Sequence, residues 1–220
     1  MKLKLFGEAI GSFFLFATVV GSGIMAETLA GGNVAVALIG NTLATAAMLF
    51  VLITMLGPVS GAHFNPAVSL VMRLRGECCW KGLAATIAVQ VLAGILGVWA
   101  AHLMFDQPVL QLSRHVRTGP GQWLGEFIAT FGLILTILGT LRHRPQAVAA
   151  SVALYIAAAY WFTSSTSFAN PAITLARSLS DSFAGIAPAD VPGFVLAQLA
   201  GALAASTVAK TLFPAAAAGR

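Results

Sequence analysis

Residues 60–68 read Ser60-Gly61-Ala62-His63-Phe64-Asn65-Pro66-Ala67-Val68, and residues 170–178 read Asn170-Pro171-Ala172-Ile173-Thr174-Leu175-Ala176-Arg177-Ser178. In both, Asn-Pro-Ala precedes a short apolar run of helical character, Val68 to Leu74 and Ile173 to Leu179. Proline suits the first position of a helix, where its missing N–H leaves no bond unmade. Asparagine just before it is a good N-cap. The connections that hold these motifs, 57–76 and 167–185, are too long and too apolar to be simple loops. Each therefore predicts a re-entrant loop that opens a short half-helix.

Around these two segments lie six apolar stretches, at about 3–26, 34–56, 82–105, 122–141, 146–166 and 193–213. Each approaches the roughly 20 residues that a spanning helix needs. The chain is 58% hydrophobic and only 9% charged, against about 25% charged in an average soluble domain. A soluble fold of this size needs far more polar surface. The apolar content excludes disorder, and two adjacent cysteines, Cys78 and Cys79, exclude a disulfide scaffold. Scattered basic residues argue against nucleic-acid binding. Continuous runs without alternation exclude a membrane barrel. The first run is too long for a cleaved signal and has Glu8 inside it. With the N-terminus cytoplasmic, nine basic residues (Lys2, Lys4, Arg73, Arg75, Lys81, Arg142, Arg144, Lys210, Arg220) fall inside and three (Arg114, Arg117, Arg177) outside. This positive-inside bias predicts a multi-pass protein of the plasma (inner) membrane with both termini cytoplasmic.

The chain also repeats itself. Gly7-Glu8-Ala9-Ile10 matches Gly125-Glu126-Phe127-Ile128, 118 residues on (125 − 7), and the two Asn-Pro-Ala units lie 105 apart (170 − 65). Gln90 with Ala93-Gly94 is echoed by Gln198 with Ala200-Gly201. The whole chain, 1–220, reads as one channel domain with repeats at approximately 1–105 and 120–214. Each repeat holds three spans and one half-helix. Three is odd, so the second repeat is inverted relative to the first. The Asn-capped half-helix ends then meet near the midplane, each carrying an effective charge of roughly +0.5. Irregular backbone at that depth is tolerated where it lines a water-filled cavity. Such a pore repels cations and lets small neutral molecules hydrogen-bond in passing.

These residues resemble the signatures of the aquaporin, or major intrinsic protein, family: Ser60 to Val68, the second Asn-Pro-Ala, and the glutamate-bearing repeats. The resemblance covers essentially the whole chain. It implies an all-α membrane fold of six helices and two half-helices, one pore per subunit and a homotetramer in the lipid bilayer. It also implies conduction of water, glycerol, urea or neutral metalloid acids, with no cofactor, no metal and no enzyme activity. By the resemblance, the amides of Asn65 and Asn170 point into the pore, with Pro66, Ala67, Pro171 and Ala172 completing the motifs. Both asparagines serve equally as helix caps. Glu8 and Glu126 are intramembrane carboxylates, costly unless paired, and are expected to brace the re-entrant loop of their own half. His63 is expected in the cytoplasmic vestibule or as a packed core histidine.

Counted without gaps from the two asparagines, the family's four outer-constriction positions fall on Thr45, Ala158, Ser167 and Ile173. Relatives carry Arg and aromatic residues there, and this chain has neither, which predicts a wide, mostly apolar filter. Arg177 lies four residues beyond Ile173, on the same half-helix face. It either lines the outer vestibule or pairs with Asp181. If the count slips, Tyr160, Trp161 and Phe162 narrow the path instead. The extended second signature resembles a bacterial branch linked to arsenic resistance. The reading is a passive channel for glycerol-like polyols, neutral metalloid acids such as arsenite, and water. The alternatives are a water-selective aquaporin, an ion-coupled secondary transporter that uses Glu8 and Glu126, and an adhesive junction protein.

Overall fold

The computed structural model describes residues 1–214 and contains helices but no strand among them; Arg220, counted above among the inside charges, lies outside the described residues. The helices are α1 (Lys2–Leu29), α2 (Val34–Ser60), α3 (Pro66–Leu74), α4 (Trp80–Met104), α5 (Pro120–His143), α6 (Val148–Phe162), α7 (Pro171–Arg177) and α8 (Val191–Leu212). All but α3 and α7 are long and apolar enough to cross a membrane, α6 and α8 with the short 3₁₀ turns at their starts. Their outward faces carry large apolar side chains such as Leu43, Leu92, Leu154 and Leu196, each more than half exposed. Water would not tolerate that surface and acyl chains do. This is a multi-pass membrane protein.

The ends of the elements differ from the sequence reading in informative ways. α2 runs four residues further than 56, to Ser60, carrying Pro58 inside its last turn. It stops at Gly61, whose φ of 92° is open to glycine. α6 stops at Phe162, four residues before the expected 166, and the chain then runs irregularly to Asn170. The second half-helix, α7, ends at Arg177, two residues before Leu179.

The two halves repeat in contact as well as in sequence. α1 packs against α2 and α4, α5 packs against α6 and α8, and α2 meets α6 across the halves. Left-handed backbone recurs at the same 105-residue spacing as the asparagines: Gly61 and Thr166, Ala62 and Ser167, Phe64 and Ala169. Side chains in that region cost roughly 1–3 kcal/mol each and persist only where the surroundings over-determine them.

Glycine lets helices touch backbone to backbone in each half. A Cβ at Gly97 would lie 2.2 Å from the Phe13 carbonyl oxygen, and one at Gly201 would lie 2.3 Å from that of Phe127. Gly57 on α2 has nothing within 4 Å of such a Cβ. Gly97→Ala is therefore expected to push α4 off α1 and to destabilise by about 1–3 kcal/mol, the usual cost of overpacking. Gly57→Ala is expected to stabilise by about 0.5–1 kcal/mol through the unfolded chain's entropy. Melting in detergent decides: equal shifts for the two would refute the close helix contact.

Candidate functional site

Asn65 and Asn170 are the caps of α3 and α7. The Asn65 Oδ1 accepts from the Ala67 N–H at 2.9 Å, and the Asn170 Oδ1 accepts from Ala172 at 3.0 Å and Ile173 at 3.3 Å. Pro66 and Pro171 take the first helical positions, followed by Ala67 and Ala172, all four largely enclosed in the protein interior. The carboxamide nitrogens do something the sequence could not show, for they cross between the halves. Asn65 Nδ2 donates to the Ala169 carbonyl at 2.7 Å, and Asn170 Nδ2 donates to the Phe64 carbonyl at 2.8 Å. An amide nitrogen has two hydrogens. One of each is spent on the exchange, and the other has no partner among the described residues.

The irregular segments before each asparagine are held by the two buried glutamates. Glu8 accepts from Ser60 Oγ, the His63 N–H, the Phe64 N–H and Gln90 Nε2, all at 2.8–2.9 Å. Glu126 accepts from the Phe168 and Ala169 N–H groups at 2.8 Å each, and from Gln198 Nε2. The two glutamines reach on to the half-helices, Gln90 to Ser69 Oγ at 3.0 Å and Gln198 to Thr174 Oγ1 at 2.8 Å. N–H groups in these irregular segments have no helix or strand partner, and the carboxylates satisfy them. The glutamines are site residues that sequence reasoning saw only as a repeat; the signal was a buried polar residue recurring in both halves.

A central cavity of about 120 Å³ runs between the halves, with room for several waters. One wall is the irregular backbone of Gly61 to Asn65 and Ser167 to Asn170; the other is apolar, with Leu49, Ile53, Leu133, Ile137, Val152 and Ile156. His63 lines the cavity while its Nδ1 pairs with Ser69 Oγ at 3.1 Å. Of the four counted constriction residues, Thr45, Ser167 and Ile173 line it. Ala158 does not, and the ungapped count fails there. Ala158 is exposed on the outer side of α6, whereas Val152, Ile156 and Tyr160 face inward. Two residues are about 200° around a helix, so a slip of two reverses the face. Tyr160 takes the inward place, its hydroxyl 3.3 Å from Thr45 Oγ1. The cavity lining beside Thr45 thus holds an aromatic that the count had not placed there.

Arg177 also lines the cavity and is 2% exposed. Its guanidinium carbon lies 3.3 Å from the centre of the Phe168 ring, and its Nε donates to the Ala184 carbonyl. The pairing with Asp181 does not form, because α7 ends at Arg177 and the i+4 geometry is lost. Asp181 meets Arg114 instead, accepting from its N–H at 2.8 Å. Arg117, on the α4–α5 connection, lies 5.1 Å from the same Phe168 ring. Neither Phe168 nor Arg117 had a sequence signal for this position. No cluster of three or more metal-ligating His, Cys, Asp or Glu occurs among the described residues.

The profile described as "Major intrinsic protein" matches residues 1–164. Aquaglyceroporin AqpS of Rhizobium meliloti (strain 1021) is 56% identical over 205 residues, 93% of this chain and 88% of that one. The chain belongs to the major intrinsic protein family. It is a membrane channel for small neutral solutes, not an enzyme. A probable NIP-type aquaporin of Nicotiana alata is 33% identical over 138 residues, 62% of this chain and 50% of the plant protein. The X-ray structure of the aquaglyceroporin from Plasmodium falciparum superposes with a TM-score of 0.71 over 96% of each chain, at 19% identity, and so shares the fold.

Proposed function

We propose that the chain passively conducts glycerol-like polyols, neutral metalloid acids such as arsenite, and water, through the central cavity between its two Asn-Pro-Ala motifs. The observation that carries this reading is the pair of asparagines that each keep one unspent amide hydrogen beside the cavity. A passing hydroxyl takes a hydrogen bond from Asn65 and Asn170 on one side and meets only aliphatic side chains on the other. Water held as acceptor by two fixed donors cannot relay a proton, and the residues lining the cavity include no carboxylate to attract a cation. Thr45, Tyr160, Ser167 and Ile173 form the outer constriction in this reading, and His63 the cytoplasmic vestibule. Glu8 and Glu126 brace the pore wall and carry no protons through it.

The similarity to a protein named an aquaglyceroporin supports passage of polyols beyond water. The extended second signature from Asn170 to Ser178 supports the metalloid acids, which resemble glycerol in size and hydroxyl pattern. The repeats make one channel domain, the homotetramer in the plasma (inner) membrane is its assembly, and the basic residues put both termini in the cytoplasm. Stopped-flow light scattering on proteoliposomes tests the reading. Water, glycerol and arsenite are each expected to cross faster than in empty vesicles, at rates indifferent to an imposed proton or sodium gradient. Concentrative uptake driven by such a gradient would make the protein an ion-coupled transporter, and water permeability alone would make it a water-selective channel.

A further inference from the structure

The chain has two cysteines, and they are consecutive, Cys78 and Cys79. Both are free and exposed, in the connection that leads into α4. We propose that they form a dithiol site that captures a trivalent, thiophilic metalloid hydroxide such as arsenite, on the face of the protein that carries the N-terminus. The inference rests on the channel reading above for the choice of solute and for its route to this face.

Three observations carry it. First, the two residues border one open spot. Cys79 caps α4, and its Sγ accepts from the Gly82 N–H at 3.3 Å. A Cβ added at Gly82 would stand 3.6 Å from Cys79 Sγ and 3.7 Å from Cys78 Cβ, ordinary contact distances for both. Glycine leaves that volume empty. Cys78 Sγ, one bond beyond its Cβ, turns into the same spot by rotation about χ1, which is free on an exposed side chain. Second, Cys78 lines a cavity of about 240 Å³ together with Lys4, Gly61 and His63. Gly61 and His63 also line the central cavity. The dithiol therefore adjoins the path on its N-terminal side and meets a solute that leaves it there.

Third, the donor set selects the ligand. No cluster of three or more His, Cys, Asp or Glu able to hold a metal ion occurs among the described residues. A divalent ion such as zinc, which takes four protein donors in a structural site, is therefore poorly served. A trivalent metalloid forms three covalent bonds, so it takes two sulfurs and keeps one hydroxyl. Cysteine sulfur is a soft donor and suits it.

The step is a condensation. At each cysteine the S–H bond and one As–OH bond break, an As–S bond forms, and the thiol proton leaves with the hydroxyl as water. Two such exchanges turn arsenous acid into a cyclic dithiolate that keeps one As–OH, and they release two waters. Arsenic stays trivalent throughout, so the step needs no oxidant or reductant. In the topology proposed above this face is cytoplasmic, a compartment that keeps thiols reduced.

Intact-mass measurement on the purified full-length protein, reduced and then freed of reductant, tests the site. With arsenite, one metalloid per chain is expected, seen as a gain of one As–OH unit less two hydrogens and reversed by a competing small dithiol. Cys78→Ser and Cys79→Ser are each expected to weaken capture by about 10²–10⁴-fold, the advantage of making the second bond within one molecule. Both variants are expected to melt as wild type does, since Cys78 is exposed and serine at position 79 is itself a good N-cap. Gly82→Val keeps both thiols but fills the open spot, and is expected to weaken capture at least about tenfold. Full capture in either serine variant would mean binding through one sulfur, and full capture in Gly82→Val would put the metalloid elsewhere. Either result overturns the site, as does a reduced wild-type protein that gains no mass. None of these results touches the channel reading, which fails instead if arsenite enters proteoliposomes no faster than empty vesicles.

Discussion

Glu126→Ala is expected to yield almost no folded channel. The carboxylate is wholly buried and accepts from the Phe168 N–H, the Ala169 N–H and Gln198 Nε2. Alanine leaves all three donors without a partner, at about 1–3 kcal/mol each. The sum is comparable with the whole stability of a typical domain, about 5–15 kcal/mol. The left-handed backbone at Ala169 then loses the carboxylate that holds its N–H, and the entry to the second half-helix loosens. Glu126→Gln keeps one acceptor oxygen and is expected to fold with a lowered melting temperature and reduced flux. Size-exclusion and thermal melting in detergent read both outcomes. A monodisperse Glu126→Ala protein with wild-type melting would show that the carboxylate does not organise the pore wall.

Ile173→Arg is expected to have the largest effect on selectivity. Ile173 is 5% exposed and shares the cavity wall with Thr45, Tyr160, Ser167 and Arg177. A guanidinium there fills the passage and sets a second positive charge against Arg177, one turn away on the same half-helix. The ratio of glycerol to water permeability is expected to fall at least about tenfold, equivalent to 1.4 kcal/mol of added barrier for the larger solute. Thr45→Phe is expected to act in the same direction through volume alone, since Thr45 already touches the Tyr160 hydroxyl across the path. Swelling assays in proteoliposomes read the ratio for both variants. If neither substitution moves the ratio, the narrow point lies elsewhere along the cavity.

Local chemistry made much of this protein legible in one dimension. Asn-Pro ahead of an apolar run specifies a capped helix start whatever surrounds it, and α3 and α7 begin at Pro66 and Pro171 for that reason. Six apolar runs separated by polar breaks specify six spans, because only a closed helix satisfies its backbone in lipid. The repetition of Gly-Glu at 7–8 and 125–126 likewise announced two equivalent halves. Ser167 and Ile173, counted close to an asparagine, each stand three residues from Asn170 and both line the cavity.

Distance along the chain, by contrast, does not fix facing. Ala158 lies twelve residues from Asn170 across a helix end and an irregular loop, and a two-residue slip over that stretch put the outward side of α6 at the pore. Partnerships between remote segments were equally hidden. Nothing in the order of residues says that Asn65 bonds to the carbonyl of Ala169, or that Arg117 reaches past Asp190 to grip the carbonyls on either side of Ala184. Nor does it say that Arg177 forsakes Asp181 for the Phe168 ring. Caps, spans and repeats depend on neighbours within a few residues, so the sequence by itself determined them. The lining of the cavity depends on which faces meet after α1 to α8 have packed, and only the tertiary structure decided that.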